Sequence, residues 1–329
     1  MTTAHKEIAF TDIGGLRVGH ADDLQAGTGC TVVLCENGAT AGIDVRGGAP
    51  GTRETDLLNP VNLVDKVHAV VLTGGSAFGL DSAAGVMQYL EERKVGFDVG
   101  VTWVPIVCGA ALFDLAFGDH QIRPDKEMGY RACLNASEGR SAEGNVGAGA
   151  GATVGKIRGM AHAMKSGLGC HAIEIGGLRI GAIVAVNALG DIIDPDSGER
   201  LAGALSDDLS DFADTEAVML RFAQEKNNLF AGNTTIGIVA TNAALSKAQA
   251  TKLASMAHNG YARAIRPAHT MFDGDTIFTL ATGQVEADLS VLGMLAAGVM
   301  ERAVVAAVKQ STSLLGLPCH ADLRRARQG

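Results

Sequence analysis

The sequence predicts an α+β fold in which β-sheets are sandwiched between layers of helices. Strand-rich and helix-rich segments alternate in blocks and not as regular βαβ units, which argues against a doubly wound sheet. Of the 329 residues, 47% are hydrophobic and 19% are charged, so the chain can bury a large core and is not disordered. The 43 glycines and the low aromatic content of 4% indicate closely packed backbone and many tight turns.

The N-terminal third begins with short β-rich runs and continues with a helix. Buried strands are predicted at residues 30–35, 40–45 and 68–73. Residues 76–93 carry apolar side chains at helical spacing, which predicts a helix packed on the sheet.

A second block of strands follows residue 168. Strands are predicted at 171–175 and 178–186, joined by a Gly-Gly pair that suits a two-residue hairpin turn. Residues 191–199 lack the ligand spacing of a calcium loop and are predicted to form a turn. An apolar strand is predicted at 234–241.

Helices dominate the C-terminal part. Ser246 and Gln249 form a capping-box pattern, which predicts a helix from there to about Ile265. A strand at 276–281 and a helix at 290–309 follow, and the helix is rich enough in Ala, Val and Leu to be largely buried.

Composition argues against several classes of partner. A net charge of −9 and a pI near 5.5, with no basic block beyond Arg324–Arg327, argue against nucleic acid or an anionic membrane. No signal-like N-terminus and no run of 18 apolar residues is present, so we expect a cytoplasmic protein. The six cysteines show no metal-ligand spacing, and we expect them to be buried without metal or cofactor; one reactive cysteine is the alternative.

The segment G-N-T-T-I-G-I-V-A-T-N sets a hydroxyl on the first residue of the 234–241 strand, after a loop-like N-N-L-F-A-G. Thr234 could attack the carbonyl of Asn233 and become a new N-terminus. Its own α-amine would then serve as its base, since the pKa of a free α-amino group is about 7.7–8. The alternative is an ordinary strand threonine.

Residues 145–156, N-V-G-A-G-A-G-A-T-V-G-K, imitate a phosphate loop. The Walker pattern fails because Ala150 replaces its first glycine and Ile157 replaces the magnesium-binding hydroxyl. The small residues instead favour close approach of backbone to an active site, with Lys156 delivered there as a fixed ammonium. The alternative is a surface lysine after a glycine turn.

Two carboxylates, Asp273 and Asp275, flank Gly274 just before a strand, with His269 upstream. As metal ligands the set is incomplete. The pair is either an ordinary turn or an accessory that holds an α-ammonium and orients a hydroxyl. Asn187, at a strand end, is either a strand cap or an amide donor to an oxyanion.

Taken together, six segments resemble the L-aminopeptidase/D-esterase family, which includes β-peptidyl aminopeptidases and 6-aminohexanoate-oligomer (nylon-oligomer) hydrolases. The resemblance covers nearly the whole chain in order, at residues 11–20, 44–56, 73–80, 150–156, 232–242 and 266–278.

This resemblance implies an αββα four-layer sandwich of the N-terminal-nucleophile type. It also implies an inactive precursor that cleaves itself at Asn233–Thr234 into a large subunit, 1–233, and a small subunit, 234–329, which stay together as one folded domain. The implied substrate is a small amide or peptide, no cofactor is implied, and a homo-oligomer is expected, with a tetramer of αβ heterodimers as one form.

At the site, many relatives have serine as the nucleophile and Ser-x-Glu in place of D-G-D. The N-T-T and D-G-D combination is similar to the nylon-oligomer branch. It implies Thr234 as the nucleophile and an acyl-enzyme on it, with Lys156, Asn187, Asp273 and Asp275 as accessory residues.

Phe113 lies where that branch has an aromatic residue near the substrate. Loops 46–56, 74–79 and 110–114 are the expected cleft walls, and Ser76 and Phe78 of the middle loop are expected to bind substrate. Because these loops are mostly Gly, Ala, Ser and Phe, they suit an unbranched ω-amino-acid chain. Charged wall residues facing the cleft would instead favour a charged terminus; they are Arg46, Arg53, Glu54 and Asp56.

Other functions remain open at this point. One is an L-aminopeptidase/D-esterase or β-aminopeptidase, and another is an acyltransferase that resembles the self-cleaving ornithine acetyltransferases. A non-catalytic binding protein on the same scaffold would have an uncut chain and no turnover.

Overall fold

The computed structural model describes residues 5–225 and 232–327. Within these residues the strands are β1 (Lys6–Ile8), β2 (Arg17–Asp23), β3 (Thr28–Val45), β4 (Thr52–Arg53), β5 (Val67–Thr73), β6 (Phe97–Asp98), β7 (Trp103–Val104), β8 (Val107–Ala111), β9 (Thr153–Val154), β10 (Met164–Lys165), β11 (Leu168–Ile175), β12 (Leu178–Asn187), β13 (Asp191–Ile193), β14 (Arg200–Ala202), β15 (Thr234–Ala243), β16 (Ile265–Arg266) and β17 (Thr276–Val285). The α-helices are α1 (Ser76–Gly79), α2 (Ser82–Glu91), α3 (Lys126–Leu134), α4 (Thr215–Glu225), α5 (Lys247–Ala264), α6 (Leu289–Lys309) and α7 (His320–Ala326).

Two large sheets share the long strand β3. One runs in the order β1-β11-β12-β15-β17-β3, and the other runs β3-β5-β8-β4 with β2 on the free side of β3. The first half of β3 pairs with β2 and β5, while the second half pairs with β17. The register shifts between Leu34 and Ala39, where the strand passes from one sheet to the other.

The sheets and helices form four layers. Between the two sheets lies a core that includes Val33, Leu72, Ile236 and Phe278. Helices α5 and α6 cover the outer face of the first sheet, and α2 and α3 cover the outer face of the second. Each face of each sheet is thus buried, and the predicted αββα sandwich is confirmed.

Locally encoded elements match the sequence predictions. The β11–β12 hairpin closes through Gly176 and Gly177, both at positive φ, as a primed two-residue turn requires. Helix α5 begins at the capping box, in which the Ser246 hydroxyl accepts from the Gln249 amide and the Gln249 side chain accepts from the Ser246 amide.

Other elements differ from the predictions. The strands expected at 30–35 and 40–45 are one strand, β3, because β5 and β17 pair with its two halves. The helix expected at 76–93 is interrupted after Gly79. The turn expected at 191–199 begins as β13, which pairs with β14 and β16. The loop expected before Asn233 falls largely on residues 226–231, outside the described residues.

Helix α6 is the one helix in the described residues with the length and hydropathy of a membrane span, at a mean hydropathy of 1.8. It packs against β11, β12 and α5, and its buried face includes Leu292, Met300 and Val304. A core helix passes the same test, so this is weak evidence for a membrane. The cysteines are unpaired; five are buried and Cys170 is partly exposed.

Candidate active site

Thr234 lies at the start of β15, in the middle of the first sheet and opposite Asn187 of β12. Because β15 and β17 are parallel neighbours, the residues before each strand meet at one edge, and Asn233 bridges to Asp273. The Thr234 side chain is buried, and its hydroxyl donates to the carbonyl oxygen of Asn233. The backbone N–H of Gly274 donates to the same oxygen at 3.0 Å.

Gly274 is fixed as glycine by the space around it. A Cβ at this position would lie 2.7 Å from the Thr234 hydroxyl oxygen and 2.8 Å from the carbonyl oxygen of Ala49. Gly47 is packed even more closely, since its Cβ would lie 2.2 Å from the carbonyl oxygen of Asp273. The 46–49 segment of the N-terminal part therefore holds the D-G-D segment against the threonine.

The two carboxylates beside Gly274 have different partners. Asp275 accepts through Oδ1 from the backbone N–H of Thr235 at 2.9 Å, and through Oδ2 from the His269 imidazole at 2.9 Å. Asp273 accepts through Oδ2 from the amide and hydroxyl of Thr270. Burial, and then the charge of Asp275, raise the pKa of Asp273 above its usual range.

Lys156 is buried, so the surface-lysine alternative is wrong. Its Nζ donates to the Thr153 carbonyl at 3.0 Å, and to the carbonyl and Oδ1 of Asn187 at 3.0 and 2.7 Å. Burial lowers the pKa of Lys156 to about 7, against the opposing charges of Asp273 and Asp114. Burial therefore disfavours the ammonium form of Lys156 that the sequence led us to expect.

Asn187 ends β12 and connects three parts of the site. Its Oδ1 accepts from Lys156 and from the Thr153 amide, while its Nδ2 donates to the Phe113 carbonyl at 2.8 Å. The amide donor expected for an oxyanion is thus engaged by the Phe113 carbonyl.

Two buried charged residues behind the site were missed in the sequence. Lys165 is completely buried and donates to the carbonyls of Gly149, Ala152 and Ser166, which fixes the small-residue segment that precedes Lys156. Asp114 accepts from the Gly75 amide and the Thr28 hydroxyl, and burial raises its pKa to about 6. Asp114 follows Phe113 directly, but no local pattern marks Lys165.

Two cavities adjoin the site and meet at Phe113 and Gly232. The first, of about 310 Å³, reaches Thr234 and is lined by residues without charge among those described: Ala49, Pro50, Gly51, Ser76, Ala77, Ala111, Phe113, Gly232, Asn233, Thr234, Met271 and Phe272. The second, of about 250 Å³, is lined mainly by apolar residues and backbone and ends at Lys156 and Asp114. The Cβ of any larger residue at 232 would lie 2.2 Å from the Phe113 ring.

Two of the three residues expected to bind substrate line a cavity, and the third does not. Ser76 and Phe113 line the first cavity. Phe78 lines neither cavity; it is 61% exposed and lies under the guanidinium of Arg123 at 4.1 Å. Arg46 binds Asp44 and Ser255, and Arg53 donates to the Leu80 carbonyl, so these arginines are engaged outside the cavity.

Comparisons with known proteins agree with this architecture. Residues 9–321 match the peptidase family S58. This chain belongs to peptidase family S58. An uncharacterized aminopeptidase of Mycobacterium leprae (strain TN) is 42% identical over 96% of this chain and 94% of its own length. A 6-aminohexanoate-oligomer endohydrolase of Kocuria sp. (strain KY2) is 30% identical over 94% of this chain and 88% of its own.

A solved structure shares the fold. The L-aminopeptidase D-Ala-esterase/amidase of Ochrobactrum anthropi, described as a variant of the Ntn hydrolase fold, superposes with a TM-score of 0.73 at 19% identity, over 97% of this chain and 93% of its own. The expected family and fold class are confirmed, and the S58 chain is a hydrolase that acts on amide bonds.

The geometry does not support the hypothesis that His269, Asp273 and Asp275 bind a metal ion. Across residues 5–225 and 232–327, no group of three His, Cys, Asp or Glu side chains converges as a metal site. Asp275 and His269 bond to each other, and Asp273 bonds to Thr270. The carboxylates of this S58 protein therefore accept hydrogen bonds from protein donors.

The lowered pKa of Lys156 should make the stability of the folded protein depend on pH. Its folded pKa, about 7, lies below the unfolded value of 10.5, so the unfolded chain binds more protons between these values. The free energy of unfolding of wild type should therefore rise relative to Lys156→Met from pH 7 to pH 10, by up to about 1.4 kcal/mol per pH unit. Thermal melts of both proteins across this range measure it. The exposed Lys252→Met is the control, and parallel melting curves for wild type and Lys156→Met would contradict the prediction.

Proposed function

We propose that this amide hydrolase is self-processing and that Thr234 is its nucleophile. The observation that carries the proposal is the convergence of two donors on one carbonyl. The Thr234 hydroxyl and the Gly274 N–H both bond to the oxygen of Asn233, whose carbonyl belongs to the peptide bond to be cut. A nucleophile beside a polarised carbonyl is the arrangement that acyl transfer needs.

Self-cleavage would proceed by acyl transfer within the chain. Thr234 Oγ bonds to the carbonyl carbon of Asn233, and the peptide C–N bond breaks. The hydroxyl proton is transferred to the departing amine of Thr234. Water then hydrolyses the Asn233 ester, which leaves a carboxylate on Asn233 and a free amine on Thr234. The Gly274 N–H stabilises the negative charge that develops on the carbonyl oxygen.

Hydrolysis of substrate would repeat the chemistry with the new amine as base. The amine takes the Thr234 hydroxyl proton, the oxygen bonds to the substrate carbonyl carbon, and the amide C–N bond breaks as the proton passes to the leaving amine. Water then hydrolyses the ester on Thr234, which releases the acid and restores the hydroxyl. Asp275 holds the N–H of the next residue, Thr235, and Asp273 lies within the same turn. Lys156 and Asn187 support the opposite side of Thr234.

The test of the proposal is a denaturing mass spectrum of the purified protein. Cleavage between Asn233 and Thr234 divides the 33.8 kDa chain into fragments of about 24 and about 10 kDa. Both fragments are expected, and the smaller should begin with threonine. An intact 33.8 kDa chain with full hydrolase activity would contradict the proposal.

For the substrate, we propose amides of unbranched ω-amino acids together with simple N-terminal amino-acid amides. The lining residues that the structure describes beside Thr234 carry no charge, which suits a methylene chain better than a side chain that requires an ion pair. Two of the charged residues that would have favoured another substrate, Arg46 and Arg53, are engaged elsewhere. The relative named as a 6-aminohexanoate-oligomer endohydrolase adds support.

Initial rates on three amides decide the substrate class. A 6-aminohexanoate oligomer, a β-alanyl amide and an L-alanyl amide are compared at equal concentration. We expect turnover of all three, since β-alanine is itself an unbranched ω-amino acid. Turnover confined to the L-alanyl amide would reject the ω-amino-acid assignment without affecting the threonine mechanism. Transfer of the acyl group to an added amine in preference to water would indicate an acyltransferase.

A further inference from the structure

His269 lies behind Asp275, on the far side from the nucleophile. Its Nδ1 lies 2.9 Å from Asp275 Oδ2, and its backbone N–H donates to the same oxygen at 3.0 Å. A carboxylate oxygen accepts hydrogen bonds, so Nδ1 carries the proton. One residue thus holds one carboxylate oxygen through two donors.

The other oxygen of Asp275 faces the nucleophile strand. Oδ1 accepts from the backbone N–H of Thr235, the residue that follows Thr234. Asp275 is only 2% exposed, so its orientation is set by these protein donors. A continuous path of hydrogen bonds therefore leads from the His269 ring through Asp275 to the backbone beside the nucleophile.

Packing fixes the ring of His269. The His258 ring meets it edge to face, with centroids 4.8 Å apart, and the Tyr261 ring lies 6.2 Å away. His258 is itself held through Nε2 by the Asp44 carbonyl at 3.0 Å. The Nε2 of His269 is buried and has no hydrogen-bond partner among the described residues. Among the described residues, the ring therefore makes its polar contact through Nδ1 alone.

We infer that His269 is a positioning residue for amide hydrolysis, which acts by holding Asp275 in the rotamer that fixes Thr235 and thereby Thr234. The inference rests on the proposed role of Thr234 as nucleophile. His269 binds no reacting atom in this arrangement. Its loss should therefore lower kcat and leave KM nearly unchanged, because substrate still reaches the cavity while the nucleophile is misplaced.

Two substitutions separate this role from a structural one. His269 has φ of +60°, a left-handed conformation that asparagine tolerates better than most residues. The Asn side-chain amide can occupy the position of Nδ1, so His269→Asn keeps the donor to Asp275. His269→Gln has the same functional group one carbon farther out and places its amide nearer the position of Nε2. The two variants carry the same amide at different reach, but Gln also tolerates this left-handed backbone less well than Asn. Melting curves of both variants therefore control for backbone strain.

Kinetics of these variants test the inference. On whichever of the three amides wild type hydrolyses fastest, we expect His269→Gln to lower kcat by about 10²-fold with KM within about twofold. His269→Asn should restore kcat to within a few fold of wild type. Equal kcat values for the two variants would overturn the inference. Thr234→Ala is assayed in parallel: if it hydrolyses the amide, the proposed nucleophile is wrong, and a normal His269→Gln with an inactive Thr234→Ala rejects only the role of His269.

A spectroscopic measurement tests the hydrogen bond between His269 and Asp275 without any substitution of His269. In the proton NMR spectrum of wild type, an imidazole N–H bonded to a carboxylate resonates far downfield of the amide region. We expect one such signal that is assigned to Nδ1 of His269 by nitrogen labelling and is lost in Asp275→Asn. A wild-type spectrum without it would overturn the inference.

Discussion

Thr234→Ala is expected to give a full-length chain that neither cuts itself nor hydrolyses any amide. The substitution removes the hydroxyl that bonds to the Asn233 carbonyl, which is the nucleophile in the proposed mechanism. The expected effect is the largest available in this molecule, a loss of turnover to background. Denaturing mass spectrometry and an amide assay on the same sample measure both parts.

Thr235→Ala is the matched control. Thr235 is also buried, and it contributes its backbone N–H to Asp275, a bond that alanine retains. Its hydroxyl has no hydrogen-bond partner among the described residues, so cutting and hydrolysis should persist. If Thr235→Ala were uncut and Thr234→Ala were cut, the nucleophile would be Thr235.

Asp275→Asn is expected to lower kcat by roughly 10²-fold or more, because the nucleophile it positions would be misplaced. Both oxygens of Asp275 face donors, namely the Thr235 N–H and the two N–H groups of His269. An amide in this place must turn an N–H toward another N–H, which removes one bond and adds a repulsion. Steady-state kinetics, with a melting curve to show that the variant folds, measure the effect.

Asp273→Asn should also lower kcat, because its Oδ2 accepts both donors of Thr270 and fixes the turn beside Thr234. Addition of a chelator is the control and should leave wild-type activity unchanged. Activity lost to a chelator and restored by a divalent ion would instead support a metal held by His269, Asp273 and Asp275.

The layers of the fold were predictable because their signals are local. A Gly-Gly turn between two apolar runs specifies the β11–β12 hairpin, and the Ser246 capping box specifies the start of α5. The course of β3 was not predictable. Its central C-E-N-G-A-T is typical of a break, but pairing with β5 on one side and β17 on the other keeps the chain extended through it.

At the site, too, some features could be predicted from the sequence and others could not. Thr234 and the D-G-D segment are visible in the sequence because each lies at the start of an apolar strand. Lys165 gave no signal, since two of its carbonyl partners, on Gly149 and Ala152, come near it only when the chain folds. His269 was noticed as an incomplete metal ligand, and only the structure shows that its Nδ1 points at Asp275.

The strand order determines when the proposed cleavage can occur relative to folding. Both strands that follow residue 233 in the first sheet, β15 and β17, lie between β12 and β3, which precede it. Cutting before Thr234 would leave the middle of the sheet in one piece and both flanks in the other. Such a molecule has to be assembled while still a single polypeptide, when the search for these distant pairings is intramolecular. Once cut and then unfolded, the two pieces would have to find each other by diffusion. Unfolding of the mature protein would therefore be irreversible in practice.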